Sequence, residues 1–344
     1  MSPLDAATAD ADTAVTRRRV PAEWTSMLRR QELVLVPAIV VAIVVGALLS
    51  DVFLTKDNFV NILQQSSVLA VVVIAEALVL IVGKFDLSLE SVVGFAPALA
   101  GYLMVSESAA GVGWELPAAV GIAVALLVGA AIGVINGMLI VKLRLNAFIV
   151  TLAMLILLRG VTLGITNGRT IYNLPDSFLY LGSASWLGVP ASVWVAGLAF
   201  LGCGLFLRYH RVGRAMYAIG GNPESARAAG IRVDRVLLGT FVVAGLLAAV
   251  AGMMLTGRIA SVPANQGQNL IFMVFAAAVI GGVSLDGGRG TMFGALTGVL
   301  LLGIIQNILT LSQLASFWIE AVFGAIILIA LMIARFTAGQ GEET

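Results

Sequence analysis

Apolar runs of about 20 residues recur along the whole chain, and each is long enough to cross the hydrocarbon core of a bilayer. Ten can be counted, at roughly 33–50, 60–83, 88–105, 116–141, 146–165, 191–207, 236–257, 270–285, 291–311 and 316–335. With 60% hydrophobic residues, 11% charged residues and a mean hydropathy of +1.02, the chain carries more apolar surface than a soluble domain can bury. The 38 glycines fit the same picture, because small residues let helices approach closely in lipid. The expected fold is an all-α polytopic membrane protein of about ten transmembrane helices.

Charge placement sets the orientation. With the N-terminus in the cytoplasm, the stretch 208–235 alone puts six arginines inside (Arg208, Arg211, Arg214, Arg227, Arg232 and Arg235), whereas Lys56, Arg169 and Arg258 lie outside. Lysine and arginine crowd the cytoplasmic side of membrane proteins, and an even number of spans then leaves both termini there. The expected organisation is a disordered tail over 1–32, a transmembrane domain over 33–335 with the polar loop 208–235, and a short cytoplasmic tail over 336–344. No cleavable signal peptide is evident, so the first span is expected to serve as an uncleaved one. The lone Cys203 lies in an apolar run and excludes an internal disulfide, and the lone His210 lies in a basic loop. Two such residues, not clustered, do not make a soft-ligand metal site.

The polar stretch from Arg208 to Arg232 carries its own helix grammar. Asn222 can cap a helix start, Pro223 suits the first helical position, and Glu224 places negative charge at the positive end. Gly230 can supply the left-handed stop. The helix so bounded has about two turns, too few to be stable without a docking partner. The sequence leaves two readings, a solvated loop or a docking element, and the cap, proline and stop together favour docking.

Polar residues inside the runs are the candidates for a pathway, since a mid-bilayer charge costs about 2.5–3.5 kcal/mol on insertion scales. Glu76 either accepts from hydroxyl groups in a pathway or makes a helix–helix hydrogen bond. Arg159 is expected to snorkel from the outer part of its span. The segment Gly83 to Glu90 interrupts the apolar pattern, and Asp86 or Ser88 can cap the helix that follows. It is either a cytoplasmic turn or a broken helix facing a pathway, because irregular backbone is tolerated at depth only where protein or a cavity covers it. Asn136, Gln306 and Asn307 are read first as hydrogen-bonding glue and second as solute contacts. Gln266 lies in the amide-rich outer loop Pro263 to Asn269.

A weak internal repeat is visible at an offset of 170. Gly133 and Asn136 align with Gly303 and Gln306, and Phe148-Ile149 with Trp318-Ile319. The two copies run in opposite directions, as in the inverted repeats of transporters. The glycine-rich turn Gly281 to Gly290 is not a phosphate loop, because no Lys-Ser/Thr follows at the required spacing. If ATP drives this chain, another polypeptide hydrolyses it.

Four stretches together resemble the permease subunits of ribose-, xylose- and galactose-type ABC importers, within the superfamily that includes branched-chain amino acid permeases. They are Gly213-Arg214 with Tyr217 to Asn222 and Ala228 to Ile231; Ile280 to Thr291; Asp86-Leu87-Ser88; and Asn146 to Leu152. The resemblance covers roughly 58–335. It implies a cytoplasmic coupling helix at 223–229, with Gly213, Arg214, Gly221, Asn222, Pro223, Glu224, Ala228 and Gly230 forming the ATPase-coupling surface. It also implies a bacterial inner membrane, a second permease copy or paralogue, cytoplasmic ABC ATPase subunits holding ATP-Mg, an extracytoplasmic solute-binding protein, and no cofactor on this chain. The expected solute is a monosaccharide or related polyol. Expected pathway residues are Glu76, Asp86, Ser88, Glu90, Asn136, Gln266, Gln306 and Asn307. The chain departs from the family at Glu90, where a small residue is common, and at Ile271-Phe272-Met273, where many sugar permeases carry an acidic run. Alternatives are the same role for a nucleoside, an amino acid or a signalling furanose, or an ion-coupled secondary transporter. A membrane-embedded enzyme finds no nucleophile–base pair to support it.

Overall fold

The computed structural model describes residues 35–339, so the expected tail over 1–32 lies outside the described residues. The described chain forms thirteen α-helices and one two-residue hairpin. In order these are α1 Leu35–Leu49, α2 Lys56–Ile81, α3 Leu89–Met104, α4 Ala118–Val141, α5 Ala147–Thr166 and α6 Asp176–Ser183. Then come the hairpin β1 Ser185–Trp186 and β2 Val189–Pro190, α7 Ala191–Tyr209, α8 Arg211–Gly221 and α9 Pro223–Ala228. The chain ends with α10 Val233–Ile259, α11 Leu270–Ile280, α12 Met292–Leu311 and α13 Ser316–Gly339.

The apolar runs become helices where they were expected, and their ends are set by polar residues. Thr55 accepts the Asn58 N–H at 3.3 Å and starts α2 several residues before the apolar run does. Asn146 does the same for α5 through Ile149 N–H, and Thr291 for α12 through Gly294 N–H. Six helices, α2, α4, α5, α7, α10 and α12, are long and apolar enough to cross a membrane. The apolar helices at Leu35–Leu49, Leu89–Met104, Leu270–Ile280 and Phe317–Ile329 are shorter. The chain is therefore an all-α, multi-pass membrane protein. The run at 270–285 ends as a helix at Ile280, and α13 continues past the expected end of the membrane domain to Gly339. Nothing in the hydropathy pattern announced α6 or the hairpin after it.

The centre of the bundle is α2, buried at every residue from Ser66 to Val82. Around it α10 packs most extensively against α4, then against α2, α6 and α3. Close approach is built on glycine: a Cβ on Gly133 would collide with the Phe241 carbonyl, so α4 and α10 touch backbone to backbone. By contrast α4 and α5 expose apolar side chains along one face, including Leu127, Ile149, Ile156 and Leu157, as lipid-facing helices do.

The link between α2 and α3 is largely buried. It folds back along α2 into the protein interior: Asp86 is 1% exposed and its backbone N–H donates to Glu76 Oε1 at 3.4 Å. Glu90, in the first turn of α3, reaches Arg159 in the second half of α5. The segment is an interior break between helices rather than an exposed turn.

Candidate functional site

Two groups of residues stand out, one buried and one exposed. The buried group is centred on the α2–α3 break. Asp86 Oδ1 accepts from Ser88 N–H at 3.0 Å and from Ser88 Oγ, and Asn136 Nδ2 on α4 donates to Ser88 Oγ at 2.9 Å. Asp86 thus closes a turn on Ser88; neither side chain caps α3, although Ser88 occupies the cap position. Glu76 and Asn136 are fully buried, and Glu76 Oε2 and Asn136 Oδ1 have no hydrogen-bonding partner among the described residues. Asn136 Oδ1 is an acceptor, and Glu76 Oε2 accepts when ionised and donates when protonated, so both can pair with a hydroxyl group; leaving such atoms unpaired costs about 1–3 kcal/mol each.

The other expected pathway residues lie in separate groups. Glu90 Oε1 pairs with Arg159 Nη2 at 2.7 Å, and Glu90 Oε2 accepts the Ile271 N–H at 3.3 Å. Arg159 is therefore held in an ion pair with Glu90, a structural role for this intramembrane arginine. The Gln266 amide donates to Val93 O at 2.9 Å, Gly252 O at 3.2 Å and Thr256 Oγ1 at 3.2 Å, fixing the loop before α11 against α3 and α10. Asn307 and Asn58 exchange two amide bonds at 2.8 and 3.0 Å, the interhelical glue expected of Asn307. Gln306 is partly exposed, and its carbonyl accepts from Thr310 Oγ1 at 2.8 Å. Glu76, Asp86, Ser88 and Asn136 are brought together; Glu90, Gln266, Gln306 and Asn307 are not part of that cluster. The Asn58 and Arg159 contacts lacked a sequence signal, because their partners are 249 and 69 residues away.

The exposed group is the α8–α9 corner. Asn222 Oδ1 accepts from Glu224 N–H at 3.0 Å and Ser225 N–H at 2.9 Å, with Pro223 in the first turn. Gly230 has φ +81°, and Ile231 N–H returns to Ala226 O at 3.0 Å, so the left-handed stop forms where it was expected. α9 is not isolated: Ala226 is 3% exposed and the helix rests on α8 and α10. Pro223, Glu224, Ala228, Gly221 and Arg214 are exposed. Arg214 Nη1 donates back to Tyr209 O at 2.8 Å, and Gly213 is buried where α8 turns against the end of α7.

The two groups are joined through backbone. A Cβ on Gly220 of α8 would collide with the Ile81 carbonyl at the end of α2 and with Gly288 N in the glycine-rich turn. Gly288 N–H donates to that same Ile81 carbonyl at 2.9 Å, and Tyr217 Oη donates to Gly290 O at 2.8 Å. The glycine-rich turn Gly281 to Gly290 is a packing device between α8 and α2.

Comparison with known proteins places this geometry. Residues 58–331 match the family described as branched-chain amino acid transport system / permease component. The chain is 38% identical over 300 residues to the ribose import permease protein of Escherichia coli K12, covering 86% of this chain and 91% of that one. It is 32% identical to the L-arabinose ABC transporter permease protein of Azospirillum brasilense, over 96% of this chain and 94% of that one. The D-allose transport system permease protein of Escherichia coli K12 is 35% identical, over 87% and 89%. No solved structure matches significantly.

Proposed function

The chain belongs to the family of branched-chain amino acid transport permease components, and from that premise we propose that it forms the translocation pathway of an ABC importer for a monosaccharide or related polyol. The observation that carries the solute class is the agreement of relatives named for ribose, L-arabinose and D-allose. It is a transport subunit rather than an enzyme. ATP-Mg is held and hydrolysed by cytoplasmic ATPase subunits, and this chain carries no cofactor of its own. An extracytoplasmic binding protein delivers the solute, and a second permease copy or paralogue completes the pathway.

Ten spans in a bacterial inner membrane, with both termini cytoplasmic, are the arrangement these helices suit. The inverted repeat gains support from α3 and α11, two short helices each entered through irregular chain, one following long α2 and the other long α10. Each is followed by a long apolar helix, α4 and α12. In this arrangement α9 is the coupling helix, with Asn222, Pro223, Glu224 and Ala228 presented to the ATPase and Gly213, Arg214, Gly221 and Gly230 shaping the corner. Closure of the ATPases on ATP would displace α8 and α9 and tilt the bundle between states. Glu76, Asp86, Ser88 and Asn136 are the first candidates for solute contact, because the orphan atoms of Glu76 and Asn136 can pair with hydroxyl groups; Gln266, Gln306 and Asn307 follow, while both oxygens of Glu90 are committed to Arg159 and the Ile271 N–H.

Reconstituted uptake tests the proposal. With ATPase and binding protein present, vesicles should accumulate a pentose or hexose in an ATP-dependent way that a proton ionophore does not abolish. Uptake by the purified chain alone, driven by an ion gradient, would overturn it.

A further inference from the structure

One short helix has the exposed corner at one end and the buried ion pair at the other. α11 is 11 residues long and so spans about 16 Å at 1.5 Å per residue. At its far end it runs into the turn Gly281 to Gly290, which meets α8 through Gly220, Gly288 and the Tyr217–Gly290 hydrogen bond. At its near end Glu90 takes the Ile271 N–H with one oxygen and Arg159 of α5 with the other. One carboxylate therefore ties α3, α5 and α11 together.

The near end depends on that carboxylate. Asn269 occupies the cap position of α11 but is left-handed, at φ +64°, and its side chain makes no capping bond. Leu270 N–H bonds locally to Gly267 O at 3.0 Å, whereas the Ile271 N–H is met by Glu90 from α3, which also brings a carboxylate to a helix start. The pair is also an unusual choice for packing alone. The side chains of Glu90 and Arg159 are 6% and 20% exposed. A well-packed apolar pair at such a place is commonly as stable or more so, because desolvation offsets the attraction between the charges. An ion pair does differ from apolar packing in being directional, holding two helices at one relative position.

We propose that α11 is the transmission element between the α8–α9 corner and α5, with Glu90 and Arg159 as its positioning joint. This rests on the ABC permease reading above. Displacement of α8 carries the glycine-rich turn with it, because backbone meets backbone there and no side chain can yield. α11 follows as a rigid body, and the Glu90–Arg159 pair passes the movement to α5. α5 is suited to receive it, since one face carries the exposed Ile149, Ile156 and Leu157 and is not locked into the bundle core. Neither residue of the joint has to touch the solute.

The test is uptake per ATP hydrolysed, measured on the full transporter in vesicles with its ATPase and binding protein. Glu90→Gln weakens the pair while leaving an acceptor for Ile271 N–H, and Arg159→Met keeps the stem volume and leaves Glu90 on α11. Each should retain hydrolysis stimulated by the binding protein while uptake per ATP falls by at least about fivefold, the lower range of allosteric coupling. The double variant should be no worse than the stronger single, because both remove one interaction. Arg159→Lys, which keeps the charge, should recover part of the ratio and shows that assembly survives change at this site. Wild-type ratios in both single variants, or a double variant whose loss is the product of the two, would overturn the joint. The unaltered chain is a separate arm: if it fails to couple with any ATPase and binding protein, the permease reading itself falls, whereas coupled wild type with unaffected variants removes only the joint.

Discussion

α9 and α11 are both short helices, and their ends are satisfied in opposite ways. α9 is completed by its neighbours in sequence: Asn222 bonds two of its free N–H groups, and Gly230 turns the chain so that Ile231 closes on Ala226. α11 closes locally at its C-terminus, where Val283 N–H returns to Ala278 O at 2.9 Å and Gly282 is left-handed. Its N-terminus instead borrows Glu90, 181 residues away. The difference teaches where each helix belongs. An exposed helix has to carry its own caps. A helix inside the bundle can leave an end open, provided another span closes it.

The comparison can be broken experimentally. The largest effect is expected from Ala226→Pro in α9. It removes the Ala226 N–H bond to Asn222 O and forces the ring against that carbonyl, a change of about 3 kcal/mol or more. The chain should still insert, but stimulation of the ATPase by the permease should be lost; normal transport would return the corner to an ordinary loop. Next comes Gly220→Ala, where a methyl would meet backbone on two sides. Overpacking of that kind costs about 1–3 kcal/mol, so thermal unfolding in detergent should shift down, whereas Gly221→Ala, with open space around it, should leave unfolding unchanged. Equal shifts for the two neighbouring glycines would show that α8 and the glycine-rich turn are not in firm contact. The smallest effect is expected from Asn222→Ala, at about 1 kcal/mol of local helix stability. Amide exchange should speed up at Glu224 and Ser225 and stay unchanged in α11. Faster exchange in both helices would mean that the two are not independently closed.

The same contrast explains what could be read before the structure. Hydropathy is a local sum, so the positions of the long helices were legible, and capping is a local code, so α9 was placed almost to the residue. Chemistry that depends on a distant partner was not. The partner of Arg159 could not be named, because nothing near it in sequence announced Glu90, 69 residues away. Asp86 and Ser88 looked like caps because the fold-back onto Glu76 is a tertiary event. α6 was missed because eight residues with Asp176 at the start and Ser183 at the end make no apolar run, and the hairpin after it turns on Leu187 and Gly188, both at positive φ. The glycines of the turn at 281–290 were visible, but their use became visible only with Gly220 opposite.

The double closure of α9 has a consequence for kinetics. A segment that folds only on contact loses its conformational entropy at the moment of association, which weakens binding and slows productive encounters. Here that loss occurs when the permease folds, since both ends of α9 are tied and Ala226 is already seated. On the proposed function, an incoming ATPase would therefore meet a helix already closed at both ends and flanked by exposed Arg214, Arg227 and Arg232, with Arg227 paired to Asp234 at 3.1 Å. The encounter becomes a matter of shape and charge, and its rate should fall with ionic strength if the facing groove is acidic.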